Sequence, residues 1–214
     1  MGTVASSREG VGAIARITKM ALFRMLGRSD YDRWADTSNL EQWWESRTQQ
    51  LAGLIPPATR VIEFGAGRRR LEAYLDPTCT YLASDLVERG PDTFVCDLNR
   101  RPLPDLGALR PGVAVFAGVL EYIRDVPAVV DWLAGHVRYC VASYAVIERS
   151  GLVSALTAGA RRTYWRTYHG YMNAYGESEL QGLFARSRFA CLRTDSWNDQ
   201  RLFLFEKRPT ENQS

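Results

Sequence analysis

The stretch from Arg60 to Leu71 sets the strongest limit on what this chain can fold into. An apolar run that contains one acid, Glu63, is followed there by two glycines, Gly65 and Gly67. The pattern predicts a buried strand that stops in a tight turn and then enters a helix. Because glycine has no Cβ, the loop can adopt positive φ and lie directly against a ligand. The stretch therefore predicts a nucleotide-type pocket, with a glycine turn that holds no ligand as the alternative.

The residues around the two glycines indicate which kind of nucleotide fits. A dinucleotide fingerprint has three glycines in the spacing G-x-G-x-x-G, and the third allows the helix to pack closely on the strand. Arg70 occupies that third position here, which weakens the pyrophosphate interpretation. Glu63 instead suits a ligand that presents a cation or an amino group near the loop. S-adenosyl-L-methionine carries both groups.

The segment from Val61 to Gly67 resembles the first motif of class I S-adenosylmethionine-dependent methyltransferases, an acid followed by G-x-G at a strand end. The resemblance implies that the glycine loop lies under the amino acid and ribose of the cofactor, and that Glu63 orders the loop. The sequence also departs from the family. Arg69 stands where many members have a third glycine, two positions after the second.

Two further predicted strands end on an acid. The first, Thr80 to Asp85, places Asp85 where an acid accepts both ribose hydroxyls in nicotinamide proteins and methyltransferases alike. The second, Thr93 to Asn99, contains Asp97 and Leu98. For these two residues the resemblance implies contact with the adenine amino group and with the face of the adenine ring. The pair of strand-terminal acids favours the methyltransferase over an NAD-dependent oxidoreductase.

A fourth strand is predicted over Val113 to Gly118, and Leu120-Glu121-Tyr122 follows it. The resemblance implies that Gly118 contacts the cofactor. Many family members have Leu-Glu-His in place of the triplet, with the histidine near the methyl acceptor in some of them. Tyr122 is therefore expected to orient a hydroxyl acceptor rather than to act as a base. Tyr122 and Arg69 both depart from the family pattern, so the alternative of a non-catalytic cofactor-binding scaffold of the same fold remains open.

Alternation of strands and helices predicts an α/β fold with a doubly wound, Rossmann-like sheet and N-terminal helices. A fifth strand is expected over Tyr139 to Tyr144. The apolar runs Arg188 to Asp195 and Arg201 to Glu206 are too close for an intervening helix, so they are predicted to pair as a C-terminal antiparallel hairpin. These elements give seven strands. Class I methyltransferase sheets, by the same resemblance, end in such a hairpin.

Composition sets limits on partners and compartment. The net charge of +3 gives no indication of nucleic-acid binding, and the sequence motifs typical of DNA-base methyltransferases are absent. The chain has four cysteines, and none forms a C-x-x-C pair. They are expected to be reduced thiols in a cytoplasmic protein, with no metal site. No apolar run is long enough for a membrane span.

The predicted domain organisation has three parts: a basic amphipathic segment over 1–28, the methyltransferase domain over 29–208 and a disordered tail over 209–214. In the first part, apolar residues at helical spacing alternate with four basic residues between positions 11 and 28. Such a helix can make peripheral contact with an anionic membrane or pack across its own domain. A second helix is predicted from a cap at Ser38 or Asn39 to Leu54.

Two segments are expected to supply residues that cover the cofactor or contact the acceptor. The resemblance makes Tyr31, Trp34 and Trp44 candidates for covering the cofactor, and their alternative role is to pack the N-terminal helix on the sheet. The segment from Ile147 to Tyr175 is rich in arginine and aromatic residues, which suit sugars, phosphates or flat rings. It could also be a half-buried helix.

Two histidines are present, and the one in this segment, His169, is the better candidate for a general base. Arg162 and Arg166 are expected to contact the acceptor if it is anionic. The predicted activity is S-adenosylmethionine-dependent methyl transfer to a small molecule, for example a glycan or secondary-metabolite intermediate. The oligomeric state does not follow from the sequence.

Overall fold

The structure, a computed structural model, describes residues 3–40, 44–147 and 163–209. The helices are α1 (Thr3–Leu26), α2 (Tyr31–Ala35), α3 (Glu45–Ala52), α4 (Val126–Ala134), α5 (163–169) and α6 (Glu177–Arg186). The strands are β1 (Arg60–Phe64), β2 (Thr80–Asp85), β3 (Phe94–Val95), β4 (Val113–Ala117), β5 (Tyr139–Tyr144), β6 (Phe189–Trp197) and β7 (Gln200–Lys207). Short 3-10 helices span Thr37–Asn39, Leu71–Tyr74 and Leu120–Tyr122.

The seven strands within the described ranges form one sheet in the order β3-β2-β1-β4-β5-β7-β6. The first five strands are parallel to one another, and β7 pairs antiparallel with both β5 and β6. The predicted fold class and the C-terminal hairpin are confirmed. Because the strand order reverses between β1 and β4, their carboxyl ends leave a crevice there, which is where ligands bind in open α/β sheets.

Two apolar layers hold helices on the faces of the sheet. On one face, α4 and α6 pack on Phe64, Phe116 and Phe203. On the other face, Leu51 of α3 packs on Val61 and Val113. Strands buried on both faces are typically apolar runs; β4 is apolar throughout, and the run of β1 is interrupted by the buried Glu63.

Several predicted boundaries were wrong. The third strand is only Phe94–Val95, because Asp97 accepts a hydrogen bond from the Asn99 amide and turns the chain away from the sheet. Asp36, rather than Ser38 or Asn39, caps the first turn, and that turn ends as a 3-10 helix. The helix predicted through Leu54 begins as α3 at Glu45, with residues 41–43 outside the described ranges.

The N-terminal helix α1 folds back over the carboxyl edge of the sheet. Met20 is buried, and the Arg16 guanidinium donates a 2.8 Å hydrogen bond to the carbonyl of Tyr168. Lys19 forms a 2.8 Å ion pair with Asp30 in the turn that follows α1. Within the described residues, no helix is both long and apolar enough to cross a membrane. The tail predicted over 209–214 lies outside the described residues except for Pro209.

Candidate functional site

A cavity of about 340 Å³ opens where the carboxyl ends of β1, β2 and β4 meet. Its lining includes all of the residues predicted to bind the cofactor or to take part in catalysis, namely Glu63, Gly65, Gly67, Asp85, Asp97, Leu98, Gly118, Tyr122 and His169. Residues that are far apart in the sequence are brought together here because parallel strands deliver their ends to the same edge of the sheet.

The glycine loop closes tightly over β1. Gly65 and Gly67 have φ angles of 70° and 51°, which residues with a Cβ rarely adopt. A Cβ on Gly65 would lie 2.6 Å from Cγ2 of Val119, so no larger residue fits without a shift. The loop therefore leaves a backbone-lined cradle against which a ligand can lie.

Asp85, at the end of β2, holds the loop in place. Its Oδ2 accepts a 2.8 Å hydrogen bond from the Gly67 amide and lies 3.2 Å from Nε of Arg89. The sequence interpretation assigned the ordering of the loop to Glu63 alone. In the structure, Asp85 makes the direct hydrogen bond to the loop.

Glu63 is buried beneath the loop, and its Oε2 accepts a 2.5 Å hydrogen bond from the Tyr81 hydroxyl. Burial raises the pKa of this carboxyl to about 8, against the opposing effects of Tyr81 and Arg47. A buried carboxyl in this state is poised to become an anion when a cation binds beside it.

Replacing Glu63 with Gln is expected to flatten the dependence of stability on pH. The folded-state pKa of about 8 lies above the ordinary value of 4.5, so the folded protein keeps a proton that the unfolded chain loses. The resulting stabilisation is complete below the unfolded pKa and is lost as the pH rises through about 8. Urea unfolding measured on both sides of this window should show a decline in wild type and a weaker one in Glu63→Gln. The exposed Glu72→Gln is the control, and equal slopes in all three proteins would contradict the assignment.

Asp97 and Leu98 are predicted to contact the adenine, and the end of the cavity that they line lies beside the turn between α1 and α2. Ser29 donates a 2.9 Å hydrogen bond to Oδ1 of Asp97, and the Asn99 amide donates to the same oxygen. Leu98 is buried and lines the cavity. The N-terminal segment therefore closes the cavity at this end.

Arg47 of α3 is a cavity residue that the sequence interpretation missed. It is 5% exposed and donates to the carbonyl of Ala117 at 3.0 Å and to Oε1 of Gln200 at 3.3 Å. Gly118 has a φ of 69°, and a Cβ there would lie 2.5 Å from the guanidinium of Arg47. In the sequence this arginine is surrounded by polar residues and carries no signal of burial. Only the packing of α3 on the sheet reveals it.

Aromatic side chains form the wall opposite the glycine loop. Tyr122 makes edge contacts with Trp34 at 4.9 Å and with Tyr171 at 5.2 Å between ring centroids. The ring centroid of Trp165 lies 4.3 Å from that of His169 and 5.5 Å from that of Tyr171. Of the three aromatic residues predicted to cover the cofactor, Trp34 and Trp44 line the cavity, and Tyr31 instead donates to the carbonyl of Leu86.

The two predicted catalytic residues differ in protonation. Burial and the nearby Arg33 and Arg16 lower the pKa of His169, which favours the neutral imidazole. Burial raises the pKa of Tyr122, so its phenol stays protonated. The cavity lining therefore contains one group that can accept a proton and one that can donate a hydrogen bond.

The remaining predicted residues lie elsewhere. Arg166 is buried and donates to the carbonyls of Ala145 and Asn173 at 3.0 and 2.8 Å, which contradicts the expectation that it contacts the acceptor. Arg161 and Arg162 are outside the described residues. His136 lies between α4 and β5, with Nδ1 3.7 Å from a carboxylate oxygen of Asp105.

Arg69, in the position of the missing third glycine, adopts a φ of 56°. Its guanidinium forms two hydrogen bonds with Asp92, at 2.6 and 2.9 Å. The residue thus takes the left-handed conformation that glycine would favour and is held there by a bidentate ion pair. The chain thus keeps a positive φ at this position although the residue is not glycine.

Comparison with known proteins agrees with this geometry. A family described as "Methyltransferase domain" matches residues 33–194. The chain belongs to this methyltransferase family. The family predicted from the sequence and its cofactor class, S-adenosyl-L-methionine, are thereby confirmed, and the NAD-dependent alternative is set aside. No curated protein matches the sequence.

Solved structures share the fold of this methyltransferase at low identity. A candidate O-methyltransferase from Nostoc punctiforme has a TM-score of 0.64 and 9% identity, covering 92% of this chain and 68% of its own. Mitomycin 7-O-methyltransferase has a TM-score of 0.61 and 15% identity, with coverage of 92% and 67%. Human N-acetylserotonin methyltransferase, solved with S-adenosylmethionine, has a TM-score of 0.60 and 14% identity, with coverage of 88% and 58%.

The residues present fit that cofactor. The glycine loop allows a ligand to contact the backbone directly, and the buried acids Glu63 on β1 and Asp85 on β2 line the cavity. Among the described residues, no group of histidine, cysteine and acidic side chains could hold a metal ion.

Proposed function

We propose that this methyltransferase binds S-adenosyl-L-methionine in the cavity and transfers its methyl group to a hydroxyl of a small molecule. The observation that carries the proposal is the convergence of the glycine cradle, two strand-terminal acids and an aromatic wall on one cavity. Asp85 accepts the ribose hydroxyls, Asp97 and Leu98 meet the adenine, and Gly65, Gly67 and Gly118 lie against the methionine and ribose portions. Glu63 balances the positive charge near the loop.

Arg47 is proposed as the partner of the cofactor carboxylate. Its guanidinium is buried next to Gly118 and lines the cavity, and its Nε has no hydrogen-bond partner among the described residues. A buried cation with an unused donor is costly unless an anion meets it. The methionine carboxylate would supply that anion at the place where Gly118 allows close approach.

The bound cofactor supplies an activated methyl group on a sulfonium sulfur. The protein then has to align the acceptor oxygen with the methyl carbon, opposite sulfur. His169, whose lowered pKa favours the neutral imidazole, would accept the hydroxyl proton as the methyl group leaves sulfur, which keeps the electron pair, and bonds to the acceptor oxygen. The protonated Tyr122 would donate a hydrogen bond that orients the acceptor. The aromatic faces of Trp34, Trp165 and Tyr171 suit a flat or amphiphilic acceptor, such as a glycan or secondary-metabolite intermediate.

Asp85→Asn is expected to weaken the binding of S-adenosylhomocysteine by about 1–3 kcal/mol, because a charged acceptor of the ribose hydroxyls is lost. Isothermal titration calorimetry measures the change directly. Asp195→Asn is the matched control, since Asp195 is paired with Arg193 on β6, away from the cavity. Absence of binding by wild type, or unchanged binding by Asp85→Asn, would refute the proposed cofactor site. Binding without turnover of any hydroxyl acceptor would instead support the scaffold alternative.

A further inference from the structure

Helix α1 has two apolar faces, and only one of them packs on the protein. The inner face carries Met20, which is 4% exposed, and the half-buried Phe23; both line the cavity. On the outer face, Ile14 and Met25 are 67% and 74% exposed, and Leu22 beside them is 49% exposed. At 100° per residue these three side chains fall within one stripe of the helix surface.

Positive charge borders the outer stripe. Between Gly10 and Ser29 the sequence contains four basic residues and no acidic residue. Lys19 is paired with Asp30 on one side of the stripe, while Arg24 is exposed on the other. An apolar stripe between cations is the arrangement with which interfacial helices bind anionic lipid.

We propose that the outer face of α1 docks on an anionic lipid surface. A second copy of the chain is the other occupant to consider. Pairing the outer face of α1 with itself would bring Lys19 and Arg24 close to the same cations of the second copy, and like charges in an interface are unfavourable. Anionic lipid headgroups complement them. The proposal concerns binding alone and is independent of the proposed methyl transfer.

Flotation of the whole chain with vesicles tests the proposal. The protein is expected to float with phosphatidylcholine vesicles that contain about 30% phosphatidylglycerol, less so in high salt, and to stay behind with phosphatidylcholine alone. The double variant Leu22→Gln and Met25→Gln should lower the apparent partition coefficient by about tenfold. Arg24→Gln should lower it by about fivefold.

Leu192→Gln is the matched control, because Leu192 is similarly exposed, at 54%, on the edge strand β6. All of these side chains are exposed, so thermal melting of each variant should match wild type. Equal binding to neutral and anionic vesicles, or no binding to either, would overturn the proposal. So would a dimer, seen by light scattering, that the double variant dissociates.

Discussion

His169→Ala should reduce turnover of a hydroxyl acceptor by about 10²–10⁴-fold, the usual contribution of a general base. Affinity for S-adenosylhomocysteine should change little, because the imidazole lies in the aromatic wall rather than on the glycine loop. Steady-state kinetics together with calorimetry separates the two effects. The other histidine provides the control, since His136→Ala removes an imidazole that faces Asp105 outside the cavity.

The pH profile distinguishes a base from a packing residue. Because its surroundings lower the pKa of His169, the rate should remain level through neutral pH and fall only below the ordinary histidine value of 6.5. The His169→Ala variant should lose this acidic limb along with its rate. If activity per folded molecule stays near that of wild type while the melting temperature falls, His169 only packs against Trp165 and Tyr171.

Arg166→Ala is expected to destabilise the protein by about 2–5 kcal/mol, because two buried carbonyls lose a charged donor and each unsatisfied group costs about 1–3 kcal/mol. Its guanidinium bonds the carbonyls of Ala145 and Asn173 and lies 4.8 Å from the centre of the Tyr171 ring. Asn173 is a second buried residue of this hydrogen-bond network, and its side-chain amide donates to the carbonyls of Leu120 and Ile123. The network fastens the segment after α5 to the ends of β4 and β5.

Thermal unfolding should show the effect as a loss of roughly 10 °C in melting temperature for a chain of this size. Arg138→Ala is the matched control, because Arg138 also bonds a partner twice, Glu206, but its side chain is 68% exposed. Such a surface pair contributes about 1 kcal/mol or less. If Arg166→Ala instead raised the KM for the acceptor and left stability unchanged, the result would show that Arg166 contacts the acceptor.

Local patterns in the sequence determined the sheet and the loop at its centre. The apolar runs of β1, β2, β4 and β5 identified buried parallel strands, since both faces of such strands must be covered. Gly65 and Gly67 marked the tight loop after β1 because their positive φ angles are a local requirement of the turn. The polar gap before Arg201 was too short for a helix, which fixed the antiparallel end of the sheet.

The tertiary structure alone decided where polar side chains point. Arg47 and Arg166 look like surface residues in their helices, yet both are buried, because their donors meet backbone carbonyls from distant strands. The outer stripe of α1 could likewise be identified only from the tertiary structure. An amphipathic pattern shows that a helix has an apolar face, but α1 has two, and only its packing over the cavity shows that Met20 turns inward and Met25 outward.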